Sequence, residues 1–202
     1  MLARQLQHPV REIIYRTRGQ THGPITRLVS PSDLGELVKP FVFLDLAGFD
    51  GRFAPTPMGF GWHPHSGIAT VTVMLEGAVR YAETTGNEGV LPPGGVEGPG
   101  ERWTYHPPRG HTVAWVAVHE GVLRTSSAIP SGEIAIFEPS EESIDFVAEG
   151  KTGFVLGSAA KHPHDLVLGN YSVHTSTEAL REGEEEIRRI GQELRANGTL
   201  RR

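Results

Sequence analysis

The chain has 202 residues, with 25 Gly, 15 Pro, 10 His, no Cys and a formal net charge of −5. That length suits one ordinary domain or two small ones, and it suffices to bury a core without disulfide staples. The composition excludes a disulfide scaffold, a thiolate zinc site and a cysteine nucleophile, and mild acidity leaves no electrostatic footprint for nucleic acid.

The opening MLARQLQHPVREIIY carries charges where a signal peptide needs an apolar run. No stretch reaches the roughly 18 apolar residues of a membrane span, so a cytoplasmic protein with no membrane association is expected. Residues 1–40 read as an irregular arm, in which Pro31-Ser32-Asp33 precedes a short helical turn ending before Pro40. FVFLDLAGF (residues 41–49) is apolar enough for a buried strand. GIATVTVMLEGAVRYAETTG (residues 67–86) alternates as a strand pair should, with Glu76-Gly77 at the bend. GVLPPGGVE (residues 89–97) predicts another short strand and a turn. TVAWVAV (residues 112–118), EIAIFEP, IDFVA and GFVLGSA continue the rhythm to about residue 159. Strand signals at that spacing imply a sandwich or barrel. The last segment, TSTEALREGEEEIRRIGQELRANG, predicts a helix with a Thr175/Glu178 capping pattern and an Asn197-Gly198 stop. Ile187, Ile190 and Leu194 fall on one face, and its charges read as a solvated surface. At an offset of 44 residues SGIATVTVMLEG overlays RGHTVAWVAVHEG, a faint internal repeat in which only the first copy carries a histidine pair.

That pair, His63-Pro64-His65, runs into the first predicted strand pair. Side chains at i and i+2 on extended backbone point to one face, so two neutral imidazoles can converge as half of a site for iron, copper, nickel or zinc. The competing reading is a turn with two solvent-facing histidines, favoured by Pro64. His106 before Pro107-Pro108 reads as a strand-edge residue, and Glu101 as a turn residue. His111 and His119 alternate with apolar residues and read as structural. His162-Pro163-His164 is a second such pair in a loop, weaker as a metal site. His174, His8 and His22 carry no signal beyond surface or packing roles.

PMGFGWHPHSGIATVTVMLEGAVRYAETTGNEGVLPPGGVE (residues 57–97) resembles the first cupin motif of the pirin family. LVSPSDLGELVKPFVFLDLAGF resembles that family's arm and first strands. ERWTYHPPRGHTVAWVAVHEGVL and the tail from HPHDLVLGNYSVHTS onward resemble its second cupin and closing helix. The resemblance implies a mainly β fold, a cupin double-stranded β-helix barrel with a C-terminal α-helix, either as one composite barrel or completed by oligomerisation. It divides the chain into residues 1–97, 98–174 and 175–202. It also implies a divalent metal, most often iron, with copper, nickel, manganese and zinc as alternatives. His63 and His65 match the family's first two ligands. The segment after PPGGVE departs from the family pattern, which expects a third histidine there, and Ala69 stands where the family often has Glu. The back half of the first barrel is thus expected to be shortened.

Two functions follow from the resemblance. One is a metal-dependent oxygenase of quercetin 2,3-dioxygenase type, acting on a small flavonol-like substrate held by a metal on His63, His65 and His106, with Trp62 walling the pocket. The other is a non-catalytic binding or regulatory module with an incomplete metal site and a protein partner. Neither needs a membrane or direct contact with nucleic acid.

Overall fold

The computed structural model describes residues 11–48, 61–82, 84, 88–91, 102–170 and 172–200. From residue 11 on, the predicted arm is not irregular. It forms β1 (Ile13–Thr17), β2 (Gln20–His22), β3 (Ile25–Val29), the single turn α1 (Gly35–Val38) and, after the expected stop at Pro40, β4 (Leu44–Ala47). Two more short strands follow, β5 (Val79–Ala82) and β6 (Glu88–Leu91). The main body then comprises β7 (Arg102–Tyr105), β8 (Val113–Arg124), β9 (Ala128–Pro130), β10 (Ile134–Phe137) and β11 (Ile144–Ala159). The chain closes with the hairpin β12 (Val167–Gly169) and β13 (Ser172–His174) and the helix α2 (Thr177–Ala196).

The main sheet is antiparallel, in the order β1-β10-β8-β11-β7, with β9 paired to the far end of β8. IDFVA and GFVLGSA, which read as two strands, belong to one 16-residue strand, β11, because β8 supplies a partner along its length. That long pair is interrupted by bulges between Glu149 and Phe154, where a strand bends. Gly121 lies opposite with φ +71, and a Cβ there would sit 2.2 Å from the Lys151 carbonyl oxygen. The bend folds the sheet over itself. One core cluster accordingly joins Ala114, Val116 and Val118 before the bend to Leu123, Ile129, Ile144 and Phe146 beyond it.

The outer face of the sheet is covered by the sheet β2-β3-β4 together with α1. Leu28, Val29 and Val38 pack there on Val113, Trp115, Ile134 and Ile136, and Phe41 meets the Trp115 ring edge-on at 5.4 Å. Arg11, only 1% exposed, fastens the arm by donating from Nε to the Glu138 carbonyl at 2.8 Å and from Nη2 to the Thr112 carbonyl. Burial lowers its pKa, against the opposing pull of Glu138.

A second tether is ionic. Lys39 Nζ bonds Glu36 Oε2 at 2.7 Å and also donates to the His164 carbonyl, while Leu166 N–H donates to Glu36 Oε1 at 2.8 Å. The Lys39 bond, then the Leu166 N–H, holds the Glu36 carboxyl below its ordinary value of 4.5. A carboxyl depressed by folding adds stability that is complete above the unfolded pKa and is lost as pH falls through the folded one. Glu36→Gln is therefore expected to lower the thermal midpoint at neutral pH by an amount that shrinks as the pH falls below 4.5 and through the depressed folded value. Parallel melts of both proteins across that range check it, and a gap that persists unchanged in acid contradicts it.

The predicted strand pair over 67–86 is half wrong. Among its described residues only Val79–Ala82 form a strand, paired to β6, whereas residues 67–74 form none, and Val71 is 90% exposed. The matching copy of the repeat, by contrast, is the centre of the main sheet as β8. Alternation alone does not make a strand. The backbone needs a partner to take its hydrogen bonds, and among the described residues only Ser66, in an isolated bridge to Ser172, finds one. The turn PPGGVE and residues 49–60 lie outside the described residues.

Helix α2 begins one residue later than its capping signal suggested. Ser176 is the cap, its Oγ accepting from the Ala179 N–H at 3.1 Å, and Gly198 with φ +78 ends the helix after Asn197. The expected stripe of Ile187, Ile190 and Leu194 is half-buried, and no residue of the helix is fully buried. Arg181–Glu185, Arg189–Glu186 and Arg189–Glu193 pairs decorate the outer face as solvated charge. No described helix is long and apolar enough to cross a membrane.

Candidate functional site

The histidine pair sits where residues 61–66 run against the closing hairpin and α2. Val173 N–H donates to the Ser66 carbonyl at 3.2 Å, beside the parallel bridge between Ser66 and Ser172. Ser66 Oγ lies 3.3 Å from His174 Nε2. Two glycines permit this joint. Gly67 has φ +72, and a Cβ there would lie 2.0 Å from the Val173 carbonyl oxygen. A Cβ on Gly183 of α2 would lie 2.6 Å from both His174 Cε1 and Ser66 Oγ. The helix backbone thus rests directly on Ser66 and His174.

As the i, i+2 spacing predicted, His63 and His65 face each other, with ring centroids 4.9 Å apart at an interplanar angle of 64°. His63 Nδ1 lies 2.8 Å from the Gly61 carbonyl oxygen, which fixes that nitrogen as the donor. Burial, and then the neighbouring His63, push the His65 pKa below its usual 6.5, so its neutral form prevails at pH 7. Both rings line a cleft of about 740 Å³ whose other wall is α2, with Trp62, Ile187, Ile190 and Gly191 among the residues that shape it. A volume of that order suits a small organic ligand.

The metal expectation does not survive this geometry. Among the described residues no group of three or more His, Asp or Glu side chains is arranged to hold a metal ion. His106 is exposed just after β7 and does not join His63 and His65 in such a group. Glu101 lies outside the described residues, and Glu76 is exposed in a bend. A catalytic metal is ordinarily held by three protein ligands or more, and two imidazoles with one nitrogen already engaged do not meet that need. The predicted His-x-His metal centre, its iron or alternative copper, nickel, manganese or zinc, and the metal-dependent dioxygenase activity built on it are therefore corrected. The residues present do not fit the group.

The remaining histidines divide as follows. His111 Nδ1 lies 3.2 Å from Ser158 Oγ and His119 packs over Gly153, both structural as expected. His162 and His164 repeat the geometry of the first pair, at 5.0 Å and 66°, but on an exposed loop whose His164 carbonyl serves Lys39. His22 is exposed in β2, and His8 lies outside the described residues. His174 was missed. It carried no sequence signal because its role arises only when α2 docks beside Ser66.

Comparison with known proteins bears on the same region. The Pirin family model matches residues 23–98. A pirin-like protein of Caulobacter vibrioides is 38% identical over 95 residues, covering 44% of this chain and 33% of that protein. A pirin-like protein of Solanum lycopersicum is 32% identical over 89 residues, covering 44% of this chain and 28% of that protein. The chain therefore spans about a third or less of the length of these curated relatives. The crystal structure of a quercetin 2,3-dioxygenase from Acinetobacter baumannii superposes with a TM-score of 0.75, covering 89% of this chain and 97% of that one at 17% identity. At that identity the likeness establishes the fold: a mainly β, cupin-like sheet core with a C-terminal helix.

Proposed function

Since the chain is a pirin-like member of the cupin superfamily, we propose that it acts as a non-catalytic binding module, with the cleft between His63–His65 and α2 as the seat of a small organic ligand. One observation carries this reading. The paired imidazoles line an open, partly apolar cleft and converge with no third ligand among the described residues. A neutral imidazole offers one donor and one acceptor, which orients a polar ligand without chemistry on it. Fold likeness to a dioxygenase does not transfer that activity, because function resides in the site. We further propose a cytoplasmic location, with which a cysteine-free sequence is in keeping. A protein partner or a second copy at the exposed residues 71–73 belongs to the same reading.

Reconstitution tests it. Protein incubated with ferrous iron and desalted is expected to retain well under one ion per chain, with no difference from a His63→Ala/His65→Ala double variant. Oxygen uptake with quercetin is expected to stay at the protein-free rate. Stoichiometric iron that disappears in the double variant, together with uptake, overturns the proposal.

A further inference from the structure

The α2 wall of the cleft is uneven in a way that selects among ligands. Gly191 faces an opening: a Cβ there would meet nothing nearer than Arg195 Nη1, at 3.8 Å. The result is a notch in the helix surface with a guanidinium beside it. Ile187, Ile190 and Leu194 supply apolar surface along the same wall, and Trp62, 41% exposed, supplies an aromatic face to the same cleft.

The charges around this notch do not cancel. Glu186 is held by Arg189 through bonds of 2.7 and 2.6 Å, and Glu193 pairs with the same arginine, so that cluster compensates itself. Glu184 lies toward the hairpin end, its Oε1 3.0 Å from where a Cβ on Gly169 would be. Arg188 donates from Nε to the Glu184 carbonyl at 3.2 Å. Neither Arg188 nor Arg195 has an ion-pair partner among the described residues. The α2 wall of the cleft therefore carries Arg188 at the level of Glu184 and, beside the notch, Arg195 with no ion-pair partner among the described residues, next to aromatic and aliphatic surface. A planar ring suits Trp62 and the notch, and an arginine fork suits a carboxylate.

Building on the binding-module reading, we propose that the cleft takes planar aromatic acids, the ring lying between Trp62 and the Ile187–Gly191 stretch and the carboxylate meeting Arg195 beside the notch. The uncharged His65 ring then serves as a hydrogen-bonding partner for a ring substituent and does not repel an apolar body.

Calorimetric titration of the full chain with 2-naphthoate and with 2-naphthamide, equal in size and differing in charge, tests this. The acid is expected to bind about tenfold more tightly than the amide. Arg195→Gln is expected to bring the two affinities together. Gly191→Phe, which fills the notch at a site of better helix propensity, is expected to abolish binding of both while helical circular dichroism is retained. Equal affinities in the unmodified protein, or an acid preference that survives loss of Arg195, overturn the aromatic-acid proposal. In that event the binding-module reading stands if Gly191→Phe still abolishes binding. Binding that ignores Gly191→Phe, or no binding by either probe, removes the cleft as the site.

Discussion

Replacing Phe146 by Ala is expected to lower the unfolding free energy by about 3–5 kcal/mol, read from the denaturant midpoint at an unchanged slope. Phe146 is 2% exposed and lies where the folded-over sheet closes on itself. Its ring stacks on Trp103 at 5.5 Å, tilts against Phe154 at 5.6 Å and meets Phe137 edge-on at 6.2 Å. Three aromatic partners from three strands cannot all move inward, so the cavity stays largely unfilled and its full cost is felt. Trp103→Ala provides the comparison. Trp103 is 46% exposed on the outer strand β7, so removing it opens a surface hollow that water fills, and the loss is expected to be smaller. A Phe146→Ala loss below about 1 kcal/mol, or one smaller than that of Trp103→Ala, would show that the folded-over core is not the stability centre.

What could be read beforehand follows from where each partner lies along the chain. TVAWVAV, EIAIFEP and the terminal helix carry their evidence in their own periodicity, and they appear as β8, β10 and α2. GIATVTVM has equally good alternation but forms no strand, because pairing is a property of two segments and its second segment is not present among the described residues. The arm looked irregular because its strands are short and answer to distant partners: β1 pairs with β10 more than a hundred residues away. Buried Arg11 and Lys39 had no pattern at all, since the carbonyls that hold them come from distant parts of the chain. At the site, the facing of His63 and His65 was legible because period-2 geometry is local. The failure of His106 to join them was not, because it depends on where β7 enters the sheet. His174 and Gly191 acquired meaning only once α2 was in place.

The joint that positions the histidine pair leads to the second large effect. Gly67→Ala is expected to release residues 61–66 from the closing hairpin while leaving the two cores folded. An alanine at φ +72 incurs a conformational cost of about 1–2 kcal/mol, but the larger effect is collision, since its Cβ would lie 2.0 Å from the Val173 carbonyl oxygen. That oxygen belongs to the strand whose own N–H bonds Ser66, so the two segments must separate to admit the methyl group. None of residues 61–67 contributes to either core cluster, so the main unfolding transition should move little. Gly77 offers a matched control. It has the same φ of +72, with nothing within 4 Å of its hypothetical Cβ, so Gly77→Ala carries the conformational cost without the collision. Amide hydrogen exchange at Val173 reads the difference directly. Its exchange is expected to accelerate at least about tenfold in Gly67→Ala and to stay unchanged in Gly77→Ala. If both variants protect Val173 equally, residues 61–66 are held by something other than this joint, and the cleft they line must owe its shape to α2 alone.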